Sequence, residues 1–345
     1  MRAAVLKAYN EDLEIREVPH PDCPADGVVL KVLACGVCRS DWHGWVGEHP
    51  KVMPGQIGGH EYCGEVVEAG PASRWQVGDR LVAPFILSCG SCPQCQMGAQ
   101  NTCLDQRVPG FTEPGAFAEY VAVPRDHNLA RLPETMSPDL AAGLGCRVTT
   151  AWHALTGRAA LRGGEWLAVH GTGGIGLSAA LLGKALGAHV VVVDVVQEKL
   201  DHALSLGIDA GVNPDHGPVA EQIRDLTGGG AHVSVEALGI EATVNGSIEC
   251  LRPLGRHVQV GMPVGHTAQM QVNMSAVYLG NIALFGTRGM PAWRYPSLLG
   301  LIEAGAVDIS PLIARRIGLS DTGTELAAFN GPTPPGVAVI TDFTR

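Results

Sequence analysis

WLAVHGTGGIGLSAALLGKALG, residues 166–187, decides how the rest of the chain is read. It opens with an apolar run of strand length, turns on glycines, and continues with apolar residues at helical spacing. Gly171, Gly173 and Gly176 fit G-x-G-x-x-G, a weak signal alone in a chain with 45 glycines. Here the pattern follows a strand and opens a helix, the context that gives it meaning. Gly171 allows the tight turn, Gly173 lets a pyrophosphate approach the backbone, and Gly176 lets the helix pack on the strand. Gly174 and Ile175 complete the turn, and phosphates would sit at the helix N-terminus. Asp194 closes the next strand, HVVVVDV, where a carboxylate can bond the adenosine ribose. No Arg follows in VVQEK (195–199), so a 2′-phosphate would meet uncompensated negative charge. An ordinary strand–helix turn with a surface Asp is the plainer alternative. The combination favours a dinucleotide, and NAD as that dinucleotide.

Outward from this stretch, β–α alternation continues through EWLAVHG, HVVVVDV, DAGVN, HVSVEAL and GRHVQVG. Val-rich strands without polar alternation predict a buried parallel sheet. Residues 1–140 read instead as short β segments broken by turns such as KAYN (7–10), GDR (78–80) and EPG (113–115). Between these regions SPDLAAGLGCRVTTAWHAL has helical spacing, with Ser137 as N-cap before Pro138. The 345 residues are 46% hydrophobic and 17% charged, enough apolar material for about two domains. A formal charge of −10 argues against a nucleic-acid surface. The apolar runs are too short to span a membrane and no signal-peptide core precedes the first charges, so a soluble, cytoplasmic protein is expected.

Ten cysteines in a chain without a secretory signal suggest metal sites or buried thiols rather than disulfides. CGSCPQCQMGAQNTC (89–103) carries four of them, and an iron–sulfur carrier is one reading of its CxxCxxC. Such runs continue with a short gap and Cys-Pro, whereas here seven residues separate Cys95 from Cys103 and Leu104 follows. CGVCRSDWH (35–43) and GGHEYCGEVVEAGPAS (58–73) also stand out, the second fitting G-H-E-x-x-G-x5-G at Gly59, His60, Glu61, Gly64 and Gly70. Ahead of a dinucleotide fold, this set resembles the zinc-dependent alcohol dehydrogenases of the medium-chain dehydrogenase/reductase superfamily, over nearly the whole chain.

The resemblance implies an α/β architecture: a GroES-like, β-rich catalytic domain (1–145) with a structural-zinc lobe at about 89–103, and a Rossmann doubly wound parallel sheet that binds NAD (146–285). Residues 286–345 would return to the catalytic domain. It implies two zinc ions per chain. Cys38, His60 and Cys146 would hold the catalytic one, and Cys89, Cys92, Cys95 and Cys103 would fill a closed structural one. Glu61 matches the acidic residue beside the metal, either a fourth ligand when substrate is absent or an electrostatic influence. Asp41 would orient the imidazole of His60.

Ser40 would contact the substrate oxygen and pass its proton through the nicotinamide ribose to His43, a side-chain type suited to the end of a relay. Arg39 would meet the pyrophosphate, Lys199 the adenosine ribose and Thr150 the nicotinamide side. The expected reaction is reversible hydride transfer between a primary or secondary alcohol and NAD, giving an aldehyde or ketone. Trp42, Trp45, Met53, Phe85 and Phe111 are the apolar candidates for a substrate pocket. A polyol or amino-alcohol dehydrogenase, or a biosynthetic carbonyl reductase, shares this framework. A non-catalytic NAD-sensing zinc protein is the alternative of a different class. Relatives of this length form homodimers or homotetramers, usually by pairing edge strands. Cys23, Cys35, Cys63 and Cys250 match no ligand position and read as structural thiols.

Overall fold

Val-rich strands alternating with glycine-bounded helices build a six-stranded, all-parallel sheet in the computed structural model, which describes residues 1–331 and 335–345. Its strands lie in the order Ala210–Val212, His189–Val193, Trp166–His170, Ala231–Glu236, Leu251–Gln259 and Ala283–Gly286. In chain order this is 3-2-1-4-5-6, the Rossmann arrangement. Trp166–His170 pairs on one side with His189–Val193, on the other with Ala231–Glu236. Strand order therefore reverses beside Trp166–His170, and at its carboxyl end the chain enters the Gly171 turn. Ala168, Val169 and Val190 to Val193 are buried, each valine contributing roughly 1.5–3 kcal/mol on complete burial.

The chain divides into two compact units, Met1–Thr149 with Gly289–Ala304 and Ile313–Arg345, and Thr150–Arg288 with Gly305–Leu312. Gly305–Leu312 is thus a short excursion into the nucleotide-binding unit, inside the stretch 286–345 expected to return whole to the first.

The first unit is the GroES-like one, built on a largely antiparallel sheet. Val28–Gly36 is its hub, pairing with Glu61–Ala69, Tyr120–Val123 and the C-terminal strand Val337–Asp342. Its alternating Val28, Leu30 and Val32 enter a core with Leu81, Phe117 and Ile340. Gly36↔Glu61 ends the long pairing. Two chemically important segments therefore lie at one end of the sheet: residues 37–45 after the first strand, and His60–Glu61 at the start of the second.

The helix expected across SPDLAAGLGCRVTTAWHAL is interrupted. Ser137 has extended backbone before Pro138–Ala142, but its side chain makes no capping bond. A tight turn follows over Gly143–Gly145, Cys146 leaves the helical region at φ −136° and ψ −71°, and helix resumes at Arg147–Trp152. The cause is close approach: a Cβ on Gly145 would lie 2.8 Å from Glu61 Cα and 3.1 Å from the His60 carbonyl oxygen. Breaking the helix there brings Cys146 up to His60.

Candidate active site

Cys38 is the N-cap of the helix Arg39–Trp45, and Asp41 at the third helical position accepts the Cys38 backbone N–H through Oδ2 at 3.0 Å. The other oxygen of Asp41 accepts from His60 Nδ1 at 2.9 Å and from the Gly59 backbone at 3.2 Å. One buried carboxylate thus ties the first cysteine segment to the histidine segment and presents His60 Nε2 on the opposite side of the ring. Burial alone would lower the His60 pKa, but Asp41 and the Cys38 sulfur outweigh it and raise it well above the ordinary value.

Cys38, His60, Glu61 and Cys146 bring one ligand atom each to within 4.8 Å of one another. The hydrogen bond from Cys146, reinforced by His60 and Arg147, holds Cys38 well below the ordinary thiol range. Two sulfurs and an imidazole nitrogen are the donors zinc takes at catalytic sites. Ser40 Oγ lies 3.0 Å from His60 Nε2 and 3.2 Å from Cys38 Sγ, on the ligand side of the ring. His43 sits one helical turn on, its Nδ1 2.7 Å from Glu48 Oε2.

Phe85 and Phe111 present themselves edge-on to His60, with ring centroids at 5.8 and 5.2 Å. Trp45 is a core residue whose indole donates to the Glu11 carbonyl, whereas Met53 is 58% exposed. Trp42 donates to Asn330, and Arg39 lies over the Trp42 ring while donating to the Phe329 carbonyl.

The second cluster is Cys89, Cys92, Cys95 and Cys103. Its sulfur separations include 3.9 Å for Cys89–Cys95, 3.5 Å for Cys92–Cys95 and 3.9 Å for Cys92–Cys103. A tetrahedron with Zn–S bonds of about 2.3 Å has edges of about 3.8 Å, whereas a disulfide needs about 2.05 Å. Four sulfurs leave no position for substrate, so this is the structural zinc site. Hydrogen bonds from Ser91 pull the Cys89 thiol down to about 5, while burial pushes Cys95 up to about 12. Cys35, Cys63 and Cys250 are buried thiols away from both clusters, and Cys23 is half-buried.

In the nucleotide-binding unit Gly171 takes φ +92°, and a Cβ on Gly176 would lie 1.8 Å from the Gly171 carbonyl oxygen. A Cβ on Gly173 would meet nothing within 4 Å, leaving room for a phosphate at the start of the helix Gly174–Ala185. Asp194 Oδ2 accepts from the Thr172 amide at 2.9 Å and its hydroxyl at 2.6 Å. Thr150 is buried, and its hydroxyl has no hydrogen-bond partner among the described residues. Lys199 is half-buried on the helix Gln197–Ser205. These features fit a dinucleotide: a bare glycine cradle, a tethered carboxylate and an unsatisfied buried hydroxyl.

Three functional neighbours escaped the sequence reading. Arg147, next to Cys146, grips Glu61; its one available signal was a charge in the apolar run GLGCRVTT. Glu48 pairs with His43, and Thr172 with Asp194; neither position carries a motif.

Known proteins resemble this chain in sequence and in fold. The family model for the alcohol dehydrogenase GroES-like domain matches residues 24–134, and that for zinc-binding dehydrogenases matches residues 174–304. An alcohol dehydrogenase of Geobacillus stearothermophilus is 36% identical over 266 residues, 76% of this chain and 78% of its own. An L-threonine 3-dehydrogenase of Saccharopolyspora erythraea is 32% identical over 92% of both chains. The crystal structure of a zinc-binding dehydrogenase from Sinorhizobium meliloti 1021 bound to NADP superposes with a TM-score of 0.89 at 30% identity, covering 99% of this chain and 98% of that one. Among the described residues, no helix is long and apolar enough to cross a membrane.

Proposed function

The chain belongs to the zinc-binding alcohol dehydrogenases of the medium-chain dehydrogenase/reductase superfamily, and from that premise we propose that it interconverts a primary or secondary alcohol with its aldehyde or ketone, using NAD. The observation that carries this reading is the convergence of Cys38, His60 and Cys146, with the Ser40 hydroxyl on two of them. When bound, zinc supplies a Lewis acid and the dinucleotide supplies or accepts hydride.

The remaining work falls to side chains. Asp41 fixes the tautomer and angle of His60, so the imidazole always offers the same nitrogen. Ser40 Oγ would receive the substrate's hydroxyl proton, and His43, backed by Glu48, would hand it to solvent; the contacts of Ser40 with His60 and of His43 with Glu48 support these roles. Phe85 and Phe111 supply apolar walls beside His60, which suits hydrophobic alcohols and keeps water away. In the other unit, the glycine turn takes the pyrophosphate and Asp194 the adenosine ribose, its negative charge favouring NAD over NADP. Arg39, Lys199 and Thr150 complete the proposed cofactor contacts.

We assign the catalytic role to residues 1–145, cofactor binding to 146–285, and a share of the catalytic unit to most of 286–345. Among the described residues the edge strand Ala283–Gly286 has a partner on one side, and Tyr278, Leu279 and Leu284 in and just before it are exposed. This supports a homodimer or homotetramer formed through that edge. Six of the ten cysteines stand in the two proposed zinc sites, which suits thiols kept reduced in a cytoplasmic home.

The similarity to a threonine dehydrogenase over nearly the full length favours one second reading, a polyol or amino-alcohol substrate. NADH absorbance on mixing the zinc-loaded protein with primary, secondary, polyhydroxy and amino alcohols separates the two. Turnover of simple hydrophobic alcohols is expected. Turnover confined to polyols or amino alcohols would replace the proposal with the second reading. No turnover in either direction, with NAD still bound, would make the chain a sensor.

A further inference from the structure

Glu61 and Arg147 each follow a proposed metal ligand directly in the chain, Glu61 after His60 and Arg147 after Cys146. Their side chains meet in the interior, 0% and 2% exposed. Arg147 Nε donates to Glu61 Oε1 at 3.0 Å, Nη2 donates to Oε2, and the Arg147 backbone amide donates to Oε1 at 3.3 Å. Nη2 also reaches the Val37 carbonyl at 3.4 Å, which fixes the guanidinium from the far side. Both carboxylate oxygens are therefore engaged by one planar fork, a geometry that Arg provides and Lys does not. Yet a Glu61 oxygen still lies within 4.8 Å of the ligand atoms of Cys38, His60 and Cys146. The carboxylate has the reach to become a fourth ligand and is held by another partner.

We propose that Arg147 is a positioning residue that keeps the Glu61 carboxylate out of the coordination sphere of the catalytic metal, reserving the fourth position for substrate. The inference rests on the reading of Cys38, His60 and Cys146 as ligands. Two thiolates balance a divalent cation and Arg147 balances Glu61, which leaves Asp41, behind His60, as the remaining buried charge. Without Arg147 a buried carboxylate would have no counter-charge, and the metal is the nearest cation able to supply one.

Gly36 forms the bare wall of this clamp. A Cβ there would lie 2.5 Å from Glu61 Oε2 and 2.9 Å from Arg147 Nη2. Its φ is not among the positive values, so an alanine is sterically barred by the clamp and not by its own backbone. Gly36→Ala therefore crowds the fork while leaving both charges in place.

The test uses cobalt(II) in place of zinc, the constant contribution of the four-cysteine site being subtracted. Visible spectra and imidazole titrations are compared for the wild type, Glu61→Gln, Arg147→Gln, Gly36→Ala and the double variant Arg147→Gln/Glu61→Gln. The clamp predicts identical spectra for the wild type and Glu61→Gln. It predicts shifted bands in Arg147→Gln and Gly36→Ala, with imidazole affinity weakened roughly tenfold or more. The double variant returns to the wild-type spectrum and affinity. A spectral change in Glu61→Gln alone would show that Glu61 already ligates, and would overturn the proposal. So would a wild-type spectrum and affinity in Gly36→Ala, the variant that decides if Arg147→Gln does not fold. Thiolate-to-cobalt bands in a chain that turns over no alcohol would sink the functional reading and leave the clamp standing. Their absence would sink the ligand assignment itself.

Discussion

Ser40 hydrogen-bonds two proposed ligand residues at once, at 3.0 and 3.2 Å, and is itself only half-buried. Ser40→Ala is therefore expected to keep full zinc content and NAD affinity while kcat falls roughly a hundredfold or more. Metal analysis, NAD titration and steady-state rates on one preparation check this, and near wild-type turnover would remove Ser40 from the relay. Asp194 makes a different kind of contact. Its Oδ2 is held by Thr172, and Oδ1 accepts the Val196 amide at 3.0 Å, so the carboxylate is fixed at the end of its strand. Asp194→Gly should reduce the kcat/KM preference for NAD over NADP by roughly tenfold. An unchanged ratio would take Asp194 out of the cofactor site.

At the scale of elements, the four-cysteine lobe has little core of its own. Its helices are the single turns Pro93–Gln96 and Gln100–Thr102, and Cys103 Sγ accepts the Cys89 amide at 3.1 Å, closing the segment on itself. Cys103→Ser should lower Tm by on the order of 5–10 °C and open the lobe to proteases, with kcat per folded molecule little changed. A lost kcat at unchanged Tm would contradict a structural role. This lobe and the glycine turn were legible in the sequence because each depends on residues close together in the chain. Cysteine spacing limits which sulfurs can share an ion, and a strand–glycine–helix pattern states its own backbone requirement. Residues 137–155 were not legible in the same way. Helical spacing there is real, but the backbone of His60 and Glu61 forces the break at Gly143–Cys146. Arg147 stayed hidden for a related reason, its partner Glu61 being remote in the chain and adjacent only after folding. His60 and Cys146 were recognisable through family resemblance, since no spacing rule links residues so far apart.

For the molecule as a whole, acid stability follows from two buried histidines in the nucleotide-binding unit. Burial pushes His170 down to about 3 and His257 down to about 4. Ser234 and Ser247 hydroxyls lie 3.3 and 3.0 Å from His257 Nδ1. An unfolded histidine takes up a proton near pH 6.5, which these folded sites refuse. Their stability is therefore complete above about pH 6.5 and falls as pH drops toward 4, by about 1.4 kcal/mol per pH unit for each histidine. Denaturant midpoints for that unit between pH 7.5 and 5 should show this slope, and His257→Gln should remove about half of it. A flat profile would contradict it. One cysteine cluster serves structure while scattered residues serve chemistry, and zinc content with alcohol-dependent NADH formation in wild type and Cys38→Ser tests this most directly. Two zinc ions per chain should fall to one, with turnover abolished and the fold and the four-cysteine site intact. Two retained zinc ions with turnover preserved would contradict it.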